Sequence, residues 1–159
     1  MSTYSPPALE GLMMRTPLLV RGIAERAEQL FAQREIVSVT ATGVERSTYA
    51  EVVGRARRLA SALRELGIRP GDRVGTFGWN SMRHLELYLA VPSMGAVLHT
   101  LNIRLFEDDL RYIAGHAEDR VIFVDDSLVP VLEKLAPSFE RVVHYVVMGD
   151  GDAGSLPNA

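Results

Sequence analysis

The stretch RVGTFGWNSMRHLELYLAVPSMGAVLHT, residues 73–100, decides the fold of this chain. Arg73 to Phe77 is a short β-forming run, Ser81 to Val91 is long and apolar enough for a helix, and Ala96 to Thr100 is a second β-forming run. Downstream the alternation continues, with a helix over Glu107 to His116 that carries Glu107, Asp108 and Asp109 at its positive end. A strand over Arg120 to Asp125, a helix over Leu128 to Ala136 and a strand over Val142 to Met148 follow. Apolar strands separated by helices of this length require crossover connections, which predicts a mostly parallel sheet covered on both faces.

Upstream of that stretch the pattern is different. Thr48-Tyr49-Ala50-Glu51 has the form of a capping box, in which hydroxyl and carboxylate each satisfy a free backbone donor. Behind it Val52, Val53, Ala56, Leu59, Ala60, Leu63 and Leu66 keep helical spacing, while Arg55, Arg57, Arg58, Arg64 and Glu65 form the expected solvated face. Gly67 closes this helix, and Arg69-Pro70-Gly71-Asp72 forms a turn. Ile36 to Thr40 and Val44 to Thr48, joined through Gly43, read as a β-hairpin. Before it, Thr16-Pro17 starts a helix whose apolar stripe is Leu19, Ile23, Ala24, Ala27, Leu30 and Phe31. The predicted fold is therefore α/β, an N-terminal helix and β-hairpin followed by a mostly parallel β/α sheet. Residues 1–15 are expected to be a flexible lead-in, residues 16–148 the folded unit, and residues 149–159 a flexible tail.

Composition narrows the function classes. The 159 residues are 47% hydrophobic and 23% charged, with a net charge of −3, values typical of a globular chain with no basic stripe for nucleic acid. Cysteine is absent, which removes thiolate chemistry and cysteine-held zinc. Neither a signal peptide nor a membrane-length apolar run is present, so the expectation is a cytoplasmic chain without a transmembrane segment.

Candidate chemistry is sparse. Gly71, Gly75 and Gly78 fit neither of the glycine-rich phosphate-binding spacings, and Gly75, inside a strand, is better explained by close packing or twist. The single lysine, Lys134, sits beside Glu133 on a short helix and reads as solvated. His84, His99, His116 and His144 lack metal-ligand spacing and read as structural. Asp125-Asp126 ends a strand but is followed at once by a helix start, so capping accounts for it. No catalytic, cofactor-binding or metal residue is assigned. Trp79-Asn80-Ser81 follows the first parallel strand, on the edge where such sheets gather ligands. The favoured reading is that Asn80 or Ser81 simply caps the next helix; the alternative is that Trp79 borders a pocket or a subunit contact.

These residues resemble one family, the adenylate-forming acyl-CoA synthetases of the AMP-binding superfamily. Ser47-Thr48-Tyr49-Ala50-Glu51-Val52 looks like its first core motif. Ala90-Val91-Pro92-Ser93-Met94-Gly95-Ala96-Val97, with Thr100-Leu101-Asn102-Ile103-Arg104-Leu105, looks like the second, which ends in an Asn-x-Arg turn. Gly71-Asp72-Arg73-Val74 matches the usual strand entry. Trp79-Asn80, His84-Leu85-Glu86, His99-Thr100 and His116-Ala117-Glu118-Asp119 are most similar to the medium- and long-chain fatty acid–CoA ligase branch. The resemblance covers Pro17 to Met148. It implies part of the large N-terminal domain of a parent that uses ATP, Mg²⁺ and coenzyme A to convert a fatty acid to acyl-adenylate and then acyl-CoA. The family's Lys-Gly loop, acidic ATP motif and C-terminal lysine have no counterpart in this sequence. The chain alone is therefore expected to be inactive and to bind none of these cofactors, with Trp79, Asn80 and Arg104 as pocket or interface candidates. Two other readings are a non-catalytic interaction module, including a homodimer such as the family commonly forms, and, more weakly, a flavodoxin-like nucleotide binder.

Overall fold

A computed structural model describes residues 18–40 and 43–159. Its elements are α1 (Val20–Phe31), β1 (Glu35–Thr40), β2 (Gly43–Thr48), α2 (Tyr49–Glu65), β3 (Arg73–Phe77), α3 (Met82–Ser93), β4 (Val97–Thr100), α4 (Glu107–Ala117), β5 (Val121–Asp125), α5 (Val129–Leu135) and β6 (His144–Met148). Single 3₁₀ turns flank α5 at 126–128 and 136–138.

The predicted sheet is present, fully parallel, in the order β4-β3-β5-β6. Alternation along β5 divides the core. Val121 and Phe123 pack with Ala56, Ala60 and Leu63 of α2 and Leu87 and Val91 of α3, while Ile122 and Val124 pack with Leu110 of α4 and Leu132 of α5. Helices therefore cover both faces, as parallel strands buried on two sides demand.

Local chemistry sets the ends of α2 as expected. Thr48 Oγ1 accepts from the Glu51 N–H at 3.3 Å, and Glu51 Oε2 accepts from the Thr48 N–H at 2.8 Å, closing the capping box. The Ser47 hydroxyl donates to the same carboxylate at 2.7 Å, and this bond, ahead of those from Thr48, holds Glu51 below the usual carboxylate range. At the other end Gly67 adopts φ 85°, its N–H donates to the Arg64 carbonyl, and the Ile68 N–H donates to the Leu63 carbonyl. That is a Schellman cap, with Ile68 and Leu63 both buried as its apolar contact. In α3 the helix runs past Pro92 to Ser93 because a proline in the last turn removes only one backbone donor.

Three expectations are corrected. Of the apolar stripe on α1 only Ala24 is buried, and Leu19, Ile23, Leu30 and Phe31 are exposed. The helix docks through small residues and the bidentate Arg57–Glu28 ion pair, and its large side chains face outward. Its expected start at Thr16-Pro17 lies outside the described residues; α1 begins at Val20, with no side-chain cap at Leu19. Arg55 does not belong to a solvated face, because it is half-buried between α2 and α3. Residues 149–159, expected to be a flexible tail, fold back: Leu156 is buried among Leu132, Phe139 and Tyr145, and the Ser155 hydroxyl donates to Glu133 at 2.9 Å.

Candidate functional site

The carboxyl edge of the sheet is built by the loops after β3, β4 and β5. Gly78 opens the first of them, because a Cβ there would lie 2.7 Å from Met148 Cε. The chain then presents Trp79. Its indole N–H donates to Ser127 Oγ at 3.0 Å, and the Ser127 hydroxyl donates to Asp125 Oδ1 at 2.7 Å. Asp125 also accepts from the Ser127 N–H, which is the capping role its sequence position suggested. One end of the indole is thus tethered across two loops while the ring stays 49% exposed.

Ser81, and not Asn80, caps α3, accepting from the His84 N–H at 3.4 Å. Asn80 is exposed and lines a cleft of about 440 Å³ between β1 and the first turns of α3, together with Ile36, Val39, Met82 and Tyr88. His84 stands in the wall of that cleft and is buried. Its Nδ1 lies 3.2 Å from the Trp79 carbonyl and its Nε2 3.2 Å from Thr76 Oγ1. A carbonyl can only accept, so Nδ1 carries the proton and Nε2 accepts from the threonine hydroxyl. Burial pushes the imidazole below its ordinary pKa, and the Trp79 carbonyl partly opposes this. This histidine is a satisfied neutral core group, as the sequence suggested.

After β4 the Leu101 N–H donates to the Thr76 carbonyl, and Asn102 folds an Asx turn by accepting the Arg104 N–H at 3.0 Å. The Arg104 guanidinium is exposed, with no hydrogen-bond or ion-pair partner among the described residues. Trp79, Asn80 and Arg104 thus share the carboxyl side of the sheet, but no polar contact joins them.

Two side-chain groupings were not legible in the sequence. Arg55 donates to Glu86 through Nε and through Nη2 to Ser47 Oγ at 3.1 Å, tying α2, α3 and the hairpin together. His99 Nδ1 lies 2.9 Å from both carboxylate oxygens of Asp119. His116 stacks on Tyr112 at 5.6 Å, one helical turn away, the i,i+4 spacing being the only signal for it.

The first turn of α3 is capped by Ser81, Asp125 adds a carboxylate to this edge, and Arg83 and Arg104 bring exposed guanidinium groups. No metal-binding cluster of acidic or histidine side chains occurs among the described residues. No helix among them is long and apolar enough to cross a membrane.

Residues 24–157 match the family described as AMP-binding enzyme, and the chain belongs to that family. It is 49% identical over 144 residues to the long-chain-fatty-acid–CoA ligase of Thermus thermophilus, covering 90% of this chain and 27% of the relative. It is 43% identical to a 3-methylmercaptopropionyl-CoA ligase of Ruegeria lacuscaerulensis, over 92% of this chain and 27% of the relative. It is 42% identical to a medium-chain-fatty-acid–CoA ligase of Ectopseudomonas oleovorans, over 91% and 27%. The chain thus spans about a quarter of the length of these relatives. Its fold matches the crystal structure of the N-terminal domain of FACL13 from Mycobacterium tuberculosis with a TM-score of 0.74 at 23% identity, over 82% of this chain and 33% of that one.

Proposed function

We propose that this chain is the N-terminal portion of a fatty acyl-CoA synthetase, whose full-length form joins an aliphatic carboxylic acid to coenzyme A at the expense of ATP. The observation that carries this reading is the packing of both motif-bearing helices, α2 and α3, side by side on one face of the parallel sheet. The first motif is the capping box that starts α2, and the second runs through the end of α3 and β4 to the Arg104 turn. The names of the relatives support an aliphatic acid as substrate, long-chain, medium-chain or a short thioether acid.

Within such an enzyme this portion is scaffold. Activating a carboxylate requires amide donors and cations aimed at developing phosphate charge in a site that excludes water. The carboxyl edge of this sheet supplies the exposed guanidinium groups of Arg83 and Arg104 and one half-open indole. Trp79, Asn80 and Arg104 are read as an edge that meets the remainder of the enzyme.

The test uses two proteins, the 159-residue chain alone and the Thermus thermophilus relative with its matching segment exchanged for residues 18–157. Pyrophosphate exchange with octanoate, palmitate and 3-methylmercaptopropionate should be absent for the first. The exchanged enzyme should form acyl-CoA. Turnover by the chain alone, or a folded but inactive exchange, overturns the reading.

A second reading, an association module, is favoured by the outward apolar residues of α1. Light scattering after size exclusion should then give twice the monomer mass; a monomer at high concentration dismisses a homodimer.

A further inference from the structure

β4 is the shortest strand of the sheet. It is four residues long, lies at an edge, and pairs only with β3, from Arg73↔Val97 to Thr76↔Thr100. Its third residue, His99, stands opposite Gly75 in that register. On the far side of β3 runs β5, and Asp119 lies just before it.

Gly75 is the gap between them. A Cβ at this position would sit 2.9 Å from Ile122 Cγ1 and 3.2 Å from Asp119 Oδ2. With no side chain there, the imidazole of His99 reaches across β3 and bonds the Asp119 carboxylate just ahead of β5, at 2.9 Å to each oxygen. The Asp119 side chain is wholly buried, and His99 is its only side-chain hydrogen-bond partner among the described residues. Burial raises the carboxyl above the ordinary aspartate range, while the His99 bond and the nearby Arg73 charge pull the other way.

The segment that delivers Asp119 is also fixed. Glu118 ends α4 in the left-handed region at φ 53°, and Arg73 donates to the Ala117 carbonyl and, at 3.3 Å, to both the carbonyl and the carboxylate of Glu118. On the other strand, two residues beyond His99, the Leu101 N–H closes onto Thr76 and the Asn102–Arg104 turn begins.

The geometry points to His99 and Asp119 as a positioning pair, seated in the gap left by Gly75, that locks edge strand β4 in register and so sets the Asn102–Arg104 turn on the carboxyl edge of the sheet. The pair belongs to the fold whichever acid the longer relatives activate. With Asp119 ionised, its two oxygens can only accept, so His99 Nδ1 carries the proton between them.

Nitrogen-15 NMR of the unaltered chain should show His99 Nδ1 protonated near neutral pH. Amide exchange gives the second readout. H99F removes the donor while keeping a ring, and should speed exchange at Leu101 and Arg104 by about tenfold relative to β5, the size of one lost buried hydrogen bond. G75A, which closes the gap, should do the same. D119N keeps an acceptor oxygen and should restore most of the protection that D119A loses. An Nδ1 without its proton, or unchanged Leu101 exchange in H99F, overturns the assignment. If G75A or D119A fails to fold, the nitrogen signature and H99F still decide it.

Discussion

Arg55 of α2 and Glu86 of α3 form an ion pair inside the helix layer, with Glu86 only 13% exposed and the Arg55 Nη2 atom also bonded to Ser47 at the end of the hairpin. One guanidinium therefore joins the hairpin and α2, which are consecutive in the chain, to α3, where Glu86 lies 31 residues beyond Arg55.

Replacing Arg55 by alanine leaves a largely buried carboxylate without its cation, and urea denaturation should show a loss of about 2–3 kcal/mol. The double substitution R55M with E86L removes both charges and fills the space, so it should recover more than half of that loss. Equal destabilisation by the single and double variants would show that the helix layer does not depend on this pair.

His84 makes the fold sensitive to mild acid. Its folded pKa is depressed by burial, so its contribution is fully present above the unfolded value of about 6.5 and is lost as pH falls from there through the lower folded value. Unfolding free energy should decline between pH 7.5 and 5.5, more steeply in the native chain than in H84Q. Asp119 is raised and works in the opposite sense, its contribution being lost as pH rises through its folded value, but it is common to both chains and cancels in the difference.

Glu118 holds φ 53° without being glycine. Glu118→Gly relieves that strain and loses only the exposed contact to Arg73, so thermal unfolding should show a chain unchanged or stabilised by up to about 1 kcal/mol. The converse substitution at the αL cap, Gly67→Ala, should cost about 1 kcal/mol.

Leu156 seats the last residues in the core at 7% exposure. Leu156→Ala should cost about 2 kcal/mol in denaturant. It should also raise proteolysis after residue 149, seen by mass spectrometry. An unchanged cleavage pattern would mean that the tail is held elsewhere.

Much of this architecture is legible because it is local. The capping box from Thr48 to Glu51, the Gly67 cap and the strand–helix alternation from Arg73 onward each depend on residues within one or two turns of one another. Failures come where burial is decided from a distance. The spacing of Leu19, Ile23, Leu30 and Phe31 defines a helix face but not what covers it. Arg55 lies on the polar side of α2, but a neighbouring helix reaches that side too. The His99–Asp119 contact crosses an intervening strand, and its only sequence trace is a glycine inside β3. At the carboxyl edge, periodicity places Trp79 and Arg104 on the same side of the sheet and says nothing of the Ser127 tether or of the free guanidinium.

The tethered indole has a practical consequence. Trp79 is the only tryptophan in the chain, and its ring is held at a fixed angle with about half its surface in water. Its emission is therefore a single-site reporter for that rim. A body that settles over the rim will shift the fluorescence to the blue, and dissolved iodide will stop quenching it, so docking of a complementary piece can be followed without adding a label.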